Sequence, residues 1–263
     1  PTIYLEEYYE QYRKGRTMEE TVHALVEFYQ SIRREESWDC SGLLDYEGVK
    51  DRIVFKLINT DKNREFLRDV PHRTFLDLSV VFYVLIEINC NGTAAMPVKY
   101  SHIKRWGIGD SALWDAAVEN VKQLLPAEFF TMRHALKECI EQKTFTDRAE
   151  NLLSEPEMQR DSMYVLSNKI RSYGAACIAY PHVLEMIGGI LGEDFYVLPS
   201  SVHEVVIVPV SAGVGCRDMD EMVAEVNRTQ VAPEEVLSDR AYYYDRRIDV
   251  LQPGSARREE GCI

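Results

Sequence analysis

The sequence predicts an α+β protein: antiparallel hairpins forming one or two mixed sheets, with amphipathic helices packed on one side. Three observations predict it. Two apolar runs rich in β-branched and aromatic residues, 195–198 and 205–208, flank Pro199-Ser200-Ser201-Val202-His203-Glu204 and read as a hairpin with a polar tip. A second hairpin is signalled by Asn91-Gly92 between the long apolar run 74–89 and residues 93–100. Between extended runs, apolar residues recur at helical spacing, most plainly Val22, Leu25, Val26, Tyr29 and Ile32.

In chain order, residues 2–5 suggest a short strand and 6–13 a helix of one or two turns, stopped at Gly15. Thr17 and Glu20 have capping-box form and open the clearest helix, which is expected to lie on the sheet surface. Residues 33–45 are a polar loop with Trp38 as a lid. IVFKLIN at 53–59 is strand-like, and a short helix over 61–68 ends before Val70-Pro71. After the Asn-Gly hairpin, Ser101 caps a helix running to Trp106 and ended by Gly107. Asp110 begins a longer helix with Leu113, Ala117, Val121, Leu124 and Leu125 on its apolar stripe, closed by Pro126, and a further helix covers 128–142.

The polar stretch 143–161, with Glu155-Pro156, reads as a linker between an N-terminal half, 1–142, and a C-terminal half, 162–250. A strand resumes over 163–166, and a helix over 181–191, ended by Gly192, leads into the central hairpin. Asp218 begins an amphipathic helix with Met219, Met222, Val223 and Val226 on one face. Pro233 stands in the first turn of a short helix, PEEVL, residues 241–244 make a last aromatic strand, and 251–263 a flexible tail. The chain also repeats itself. Gly92-Thr93-Ala94-Ala95-Met96 precedes Tyr100-Ser101-His102, and Gly174-Ala175-Ala176-Cys177-Ile178 precedes Tyr180-Pro181-His182. Each block follows an apolar strand and enters a helix, the order of an internal ββα duplication.

Composition narrows the function. A formal charge of −13 argues against nucleic acid or an anionic membrane surface as partner, since both require a basic stripe to neutralise phosphate. Six cysteines, Cys40, Cys90, Cys139, Cys177, Cys216 and Cys262, show no CxxC and no tight spacing, which fits a reducing cytosol better than a disulfide scaffold or zinc ribbon. No apolar run reaches membrane-spanning length. The chain begins with Pro1 rather than Met, so residues are expected upstream, with any targeting signal among them.

Polar residues concentrate at the central hairpin. Ser201 and His203 share one face of an extended strand and Ser200 and Glu204 the other, so Ser200, Ser201, His203 and Glu204, with Asn227 and Asp239, form the candidate polar site. A serine–histidine pair is the minimum for nucleophilic catalysis, but neighbouring strand positions rarely give the required geometry and no GxSxG elbow is present. A metal site would recruit His203, Glu204, His182 and Cys216, yet HEVVI lacks the second histidine of HExxH, so no metal is expected. Asp239, Asp245, Glu234 and Glu235 flank Tyr242, Tyr243 and Tyr244, and a terminal tyrosine strand suits an edge or an oligomer contact. Gly213 and Gly215 are a lone GxG without the rest of a phosphate-binding fingerprint, so no cofactor is expected.

VFKLINTDKN at 54–63, DVPHRTFLDLSVVFYV at 69–84, WGI at 106–108, AVENVKQLLPAEF at 117–129, FYVLPSSVHEVVIVP and TQVAPEEVLSDRAYYYD resemble an uncharacterised bacterial, clostridial-type domain-of-unknown-function family. A second uncharacterised bacillary family is similar in its order of strand, hairpin, WG and helix. The resemblance implies further residues before Pro1 and assigns no catalytic residue. The expected function is a cytosolic non-enzymatic binding or protein-interaction module with a protein partner or a second copy. The alternative is a hydrolase or metal-dependent enzyme built on Ser200, Ser201, His203 and Glu204 with Asp239.

Overall fold

A strand buried on both faces has a continuous apolar sequence, whereas one with a wet face alternates. FYVL, YVLSN and YYYD are buried at every position, so their sheet must be covered twice. The computed structural model describes residues 5–32, 45–89, 92–141, 151–154, 161–199 and 201–255, and arranges their strands in two antiparallel sheets.

The first sheet comprises β1 (Ile53–Asn59), β2 (His72–Phe75), β3 (Leu78–Asn89) and β4 (Gly92–Pro97). Long β3 is its spine. β1 runs along one edge, from Ile53 opposite Val84 to Asn59 opposite Leu78. β2 and β4 follow one another along the other edge, with a bulge between Leu85 and Glu87. The second sheet comprises β5 (Ala127–Thr131), β6 (Tyr164–Asn168), β7 (Phe195–Leu198), β8 (Val205–Pro209), β9 (Tyr242–Asp245) and β10 (Val250–Pro253), in the order β10-β9-β7-β8-β6-β5. The helices are α1 (Glu6–Arg13), α2 (Met18–Ile32), α3 (Tyr46–Val49), α4 (Tyr100–Trp106), α5 (Asp110–Leu124), α6 (Met132–Glu141), α7 (Val183–Leu191) and α8 (Cys216–Thr229).

The α+β class and both hairpins are as the sequence predicts. Along β7, Phe195 and Val197 enter the main core with Ile187 of α7, while Tyr196 and Leu198 meet Met219 and Val223 of α8 on the opposite face. Helices thus cover both faces of the second sheet, where cover on one side was expected. The main core joins the two sheets: the Phe55 ring stacks on Trp114 of α5 and meets Tyr180 edge-on, both at 5.4 Å between centroids. β5, from before residues 143–161, pairs with β6, from after them. The Asn151 side chain ties the described part of that stretch to β5, accepting from Phe129 N–H and donating to Ala127 C=O.

Several elements differ from the sequence reading. The run 74–89 is two strands, broken at Leu76-Asp77, with Leu76 left-handed at φ 56°. Asp77 is held there by Ser238 Oγ–H at 2.8 Å and Tyr242 Oη–H at 2.5 Å, partners far away in the chain. Residues 127–131 are strand rather than the start of a helix, because Phe129 and Phe130 on opposite faces are both buried. Over 61–68 only Phe66–Arg68 is helical, as a 3₁₀ turn, and 233–235 form a turn instead of a helix. Gly174–Ala179 is a buried 3₁₀ helix where the first block has strand β4, which removes the second strand of the proposed duplication. Leu251, Gln252 and Pro253, expected in the tail, belong to β10.

α2 is capped as predicted, with Thr17 Oγ accepting from Glu20 N–H and the Glu20 carboxylate accepting from Thr17 N–H. It does not lie on a sheet with its apolar stripe buried: α1 is its principal neighbour, and Val22 remains 52% exposed. The expected strand at 2–5, the Trp38 lid and Asn91 fall outside the described residues, apart from Leu5.

Tyr242, Tyr243 and Tyr244 are buried, not an exposed edge. Their phenols donate to Asp77, Asp194 and Asp249, and β10 covers their strand. A buried phenol needs a partner for its hydroxyl, and each finds a carboxylate.

Candidate functional site

The predicted polar tip is tied down by backbone. Val202 N–H donates to Glu235 C=O at 2.9 Å, Ser238 N–H donates to Pro199 C=O at 3.0 Å, and Ser201 bridges Val236. Ser200 lies outside the described residues. Ser201 Oγ accepts from the backbone N–H of His203 at 3.1 Å, so no hydrogen bond links it to the imidazole. The imidazole is occupied at both nitrogens. Nδ1 faces the backbone N–H of Tyr173 at 3.3 Å and must accept, which leaves the ring proton on Nε2, 3.2 Å from Glu235 Oε1. Glu204 is exposed.

Asn227 and Asp239 form a separate pair. Asn227 Nδ2 donates to Asp239 Oδ1 at 2.6 Å and to Ser238 C=O at 3.0 Å, while its Oδ1 is buried without a partner. Among the described residues no hydrogen bond joins the side chains of the two groups. His182 is exposed and paired with Glu185 at 2.9 Å. The Cys216 side chain is outside the described residues. Among the described residues, no three or more His, Cys, Asp or Glu side chains are placed together to hold a metal ion.

The groups that sequence reasoning missed lie beside His203. Its ring stacks on Tyr173, with centroids 5.5 Å apart and planes at 30°. Tyr173 presents its own ring to Lys56 Nζ, 4.0 Å from the centroid, and Tyr83 presents another at 4.2 Å. Lys56 and Tyr83 share a face of β1 and β3: Val54 is opposite Tyr83 and Lys56 opposite Val81, so lysine and tyrosine are diagonal neighbours. A cavity of about 90 Å³ opens on this lysine, lined also by Thr93, Leu125 and Ser172. Among the described residues no carboxylate lines it.

This environment decides the charge of the amine. Burial without a counter-ion disfavours the ammonium and pushes the Lys56 pKa down to about 8. The two ring faces act in the opposite sense, since their quadrupoles attract the cation. Burial raises the Tyr83 phenol, which stays protonated throughout the neutral range. The sequence carried one signal, a lone lysine inside the apolar strand IVFKLIN. Its partners on β3 and beyond β6 carried none.

Backbone strain collects at the same wall. Arg171 and Tyr173 hold φ of 52° and 54°, a left-handed conformation that costs a non-glycine residue on the order of 1–3 kcal/mol and persists where its surroundings over-determine it. The bond from Tyr173 N–H to His203 is part of that determination. Leu76, His182 and Asp249, also left-handed, line a second cleft of about 400 Å³. Replacing His203 with alanine is expected to cost about 1–2 kcal/mol in urea unfolding, because Tyr173 N–H loses its acceptor and the tyrosine ring its shelf. An unchanged unfolding midpoint contradicts this role.

Fold and site together define an α+β protein of two joined antiparallel sheets, with a lysine caged by two tyrosines at their junction. The chain belongs to DUF5688, a family of unknown function whose model matches residues 1–246. Comparison with curated proteins and with solved structures gives no match.

Proposed function

We propose that the protein is a non-enzymatic binding module whose ligand is a small carboxylate held at Lys56. The observation that carries this reading is the half-buried Lys56 amine, which lines a cavity with no acid among the described residues of its lining. A bound carboxylate supplies the missing counter-charge, and the volume suits a molecule of a few heavy atoms. Such a ligand binds the protonated amine, so affinity falls as pH rises above about 8. Titration calorimetry with sodium acetate at pH 7 tests the reading. Saturable heat that disappears in Lys56→Met is expected, and absence of heat in the unaltered protein contradicts it.

A bacterial cytosol is the setting we propose for it. Cys177 is a buried free thiol, consistent with a reducing compartment. Among the described residues no helix is long and apolar enough to cross a membrane, and the charge of −13 opposes nucleic-acid binding.

Self-association is a second reading, favoured by α1 and α2. Tyr9 is 60% exposed, and Tyr12, Val22, Val26 and Tyr29 are exposed with it. A second copy offers the same row of side chains, and two-fold pairing buries both rows at once. Sedimentation velocity is expected to show a concentration-dependent dimer that Val22→Glu abolishes; a monomer at every concentration contradicts this reading.

A further inference from the structure

Lys56 is more than a point charge. Its Nζ lies between the faces of Tyr83 and Tyr173 at 4.2 and 4.0 Å, at the wall of a cavity that also receives Thr93 and Ser172. Among the described residues no carboxylate lines that cavity, so none of them locks the nitrogen there as an ammonium. An amine in such a place is a nucleophile with room for an electrophile beside it.

We propose that Lys56 captures a small 2-oxo acid, of which glyoxylate is the simplest, as a reversible imine. This rests on the carboxylate-binding reading above and specifies the class of carboxylate. The neutral Nζ attacks the carbonyl carbon, forming the C–N bond, and the nitrogen passes a proton to the carbonyl oxygen to give a carbinolamine. Solvent water gives a proton to the carbinolamine oxygen, the C–O bond breaks and water leaves as the nitrogen lone pair completes the C=N bond, and the remaining N–H proton passes back to solvent to leave a neutral imine. Hydrolysis reverses each step, with no change of oxidation state. Tyr83, kept protonated by burial, presents its ring face to the nitrogen at 4.2 Å and so adds no anion to the site. Thr93 and Ser172, both hydroxyl residues, belong to the same lining, where a hydroxyl suits the ligand's carboxylate once the imine has replaced its ammonium partner.

The preference for an oxo acid over an unsubstituted aldehyde follows from order of events. The carboxylate is drawn in by the protonated amine, and the carbonyl then stands one bond away from it. The lowered basicity of Lys56 supplies the neutral fraction that ordinary surface lysines lack at the same pH.

The test incubates the full chain with glyoxylate and cyanoborohydride at pH 7.5, followed by intact mass and peptide mapping. Acetate calorimetry is run on the same preparation. The expected result is one carboxymethyl adduct, on Lys56, formed at least about tenfold faster than on any other lysine, and suppressed by excess acetate. Pyruvate in place of glyoxylate shows whether the site admits a ketone. Acetate binding without a preferred adduct on Lys56 overturns the imine and leaves the carboxylate reading standing. Neither binding nor adduct overturns both. Lys56→Arg, which keeps a cation but forms no imine, is expected to retain acetate heat and lose the adduct; an adduct persisting elsewhere at the same rate overturns the assignment to Lys56.

Discussion

Replacing Lys56 with methionine is expected to make the protein more stable while abolishing acetate binding. Methionine has nearly the length of lysine and no charge to desolvate, and its thioether tolerates contact with Tyr83 and Tyr173. The sign follows from linkage. Burial lowers the folded-state pKa of Lys56 to about 8 from 10.5, so between those values the unfolded chain binds more protons than the folded one and wild-type stability rises with pH. Below pH 8 both states are charged, and the full cost of the buried ammonium is present. The displacement corresponds to roughly 3 kcal/mol at most, and attraction to the two rings reduces it. A gain of about 1–3 kcal/mol at pH 7 is therefore expected in urea unfolding, shrinking as pH rises from 8 toward 10.5. Destabilisation at pH 7 contradicts the buried-ammonium account. A residue whose removal stabilises the fold is one that structure alone does not require.

The second large effect is expected at Gly174. A Cβ there stands 2.2 Å from Ser167 Oγ, 2.5 Å from the backbone nitrogen of Asn168 and 2.6 Å from the backbone carbonyl oxygen of His203. Two of the three atoms are backbone and cannot swing away. Gly174→Ala must part β6 from the loop carrying His203, which loosens the shelf under Tyr173 as well. A loss of about 3 kcal/mol or more is expected, the range of severe core overpacking. Gly189→Ala is the control. Its Cβ meets nothing within 4 Å in the middle of α7, so a gain of about 0.5–1 kcal/mol is expected from the entropy removed from the unfolded chain. Equal effects from the two substitutions contradict the packing described around Gly174.

Local chemistry made part of this fold legible. The Thr17–Glu20 cap, the hairpin signalled by Asn91-Gly92 and the hairpin from Phe195 to Pro209 depend on residues close in sequence. What was hidden depends on partners far apart. Leu76-Asp77 looks apolar and extended until Asp77 meets Ser238 and Tyr242, more than a hundred and sixty residues on. Phe129 and Phe130 suit a helix or a strand equally, and pairing with β6 decides. The tyrosine triplet invited an exposed edge because its three aspartate partners could not be seen.

The site divides in the same way. His203 was visible as a polar residue beside apolar strands, and the hydrogen bond that joins it to its neighbour Ser201 uses the His203 backbone N–H rather than the ring. Glu235, which engages the ring, stood out only as one of several acids near the tyrosines. Lys56 broke an apolar strand in plain view, but a lone lysine gives no sign of whether it points to water or between two tyrosine rings. That distinction comes from the diagonal pairing of β1 with β3 and from the left-handed turn that brings Tyr173 across from the second sheet.

The most direct measurement is an NMR pH titration of the lysine ε-carbons, with Lys56→Met used to assign the resonance. The account predicts that Lys56 titrates near pH 8, well below the ordinary value for a lysine. A Lys56 resonance that titrates at the ordinary lysine value of 10.5 contradicts a caged amine, and with it the binding site built around that amine.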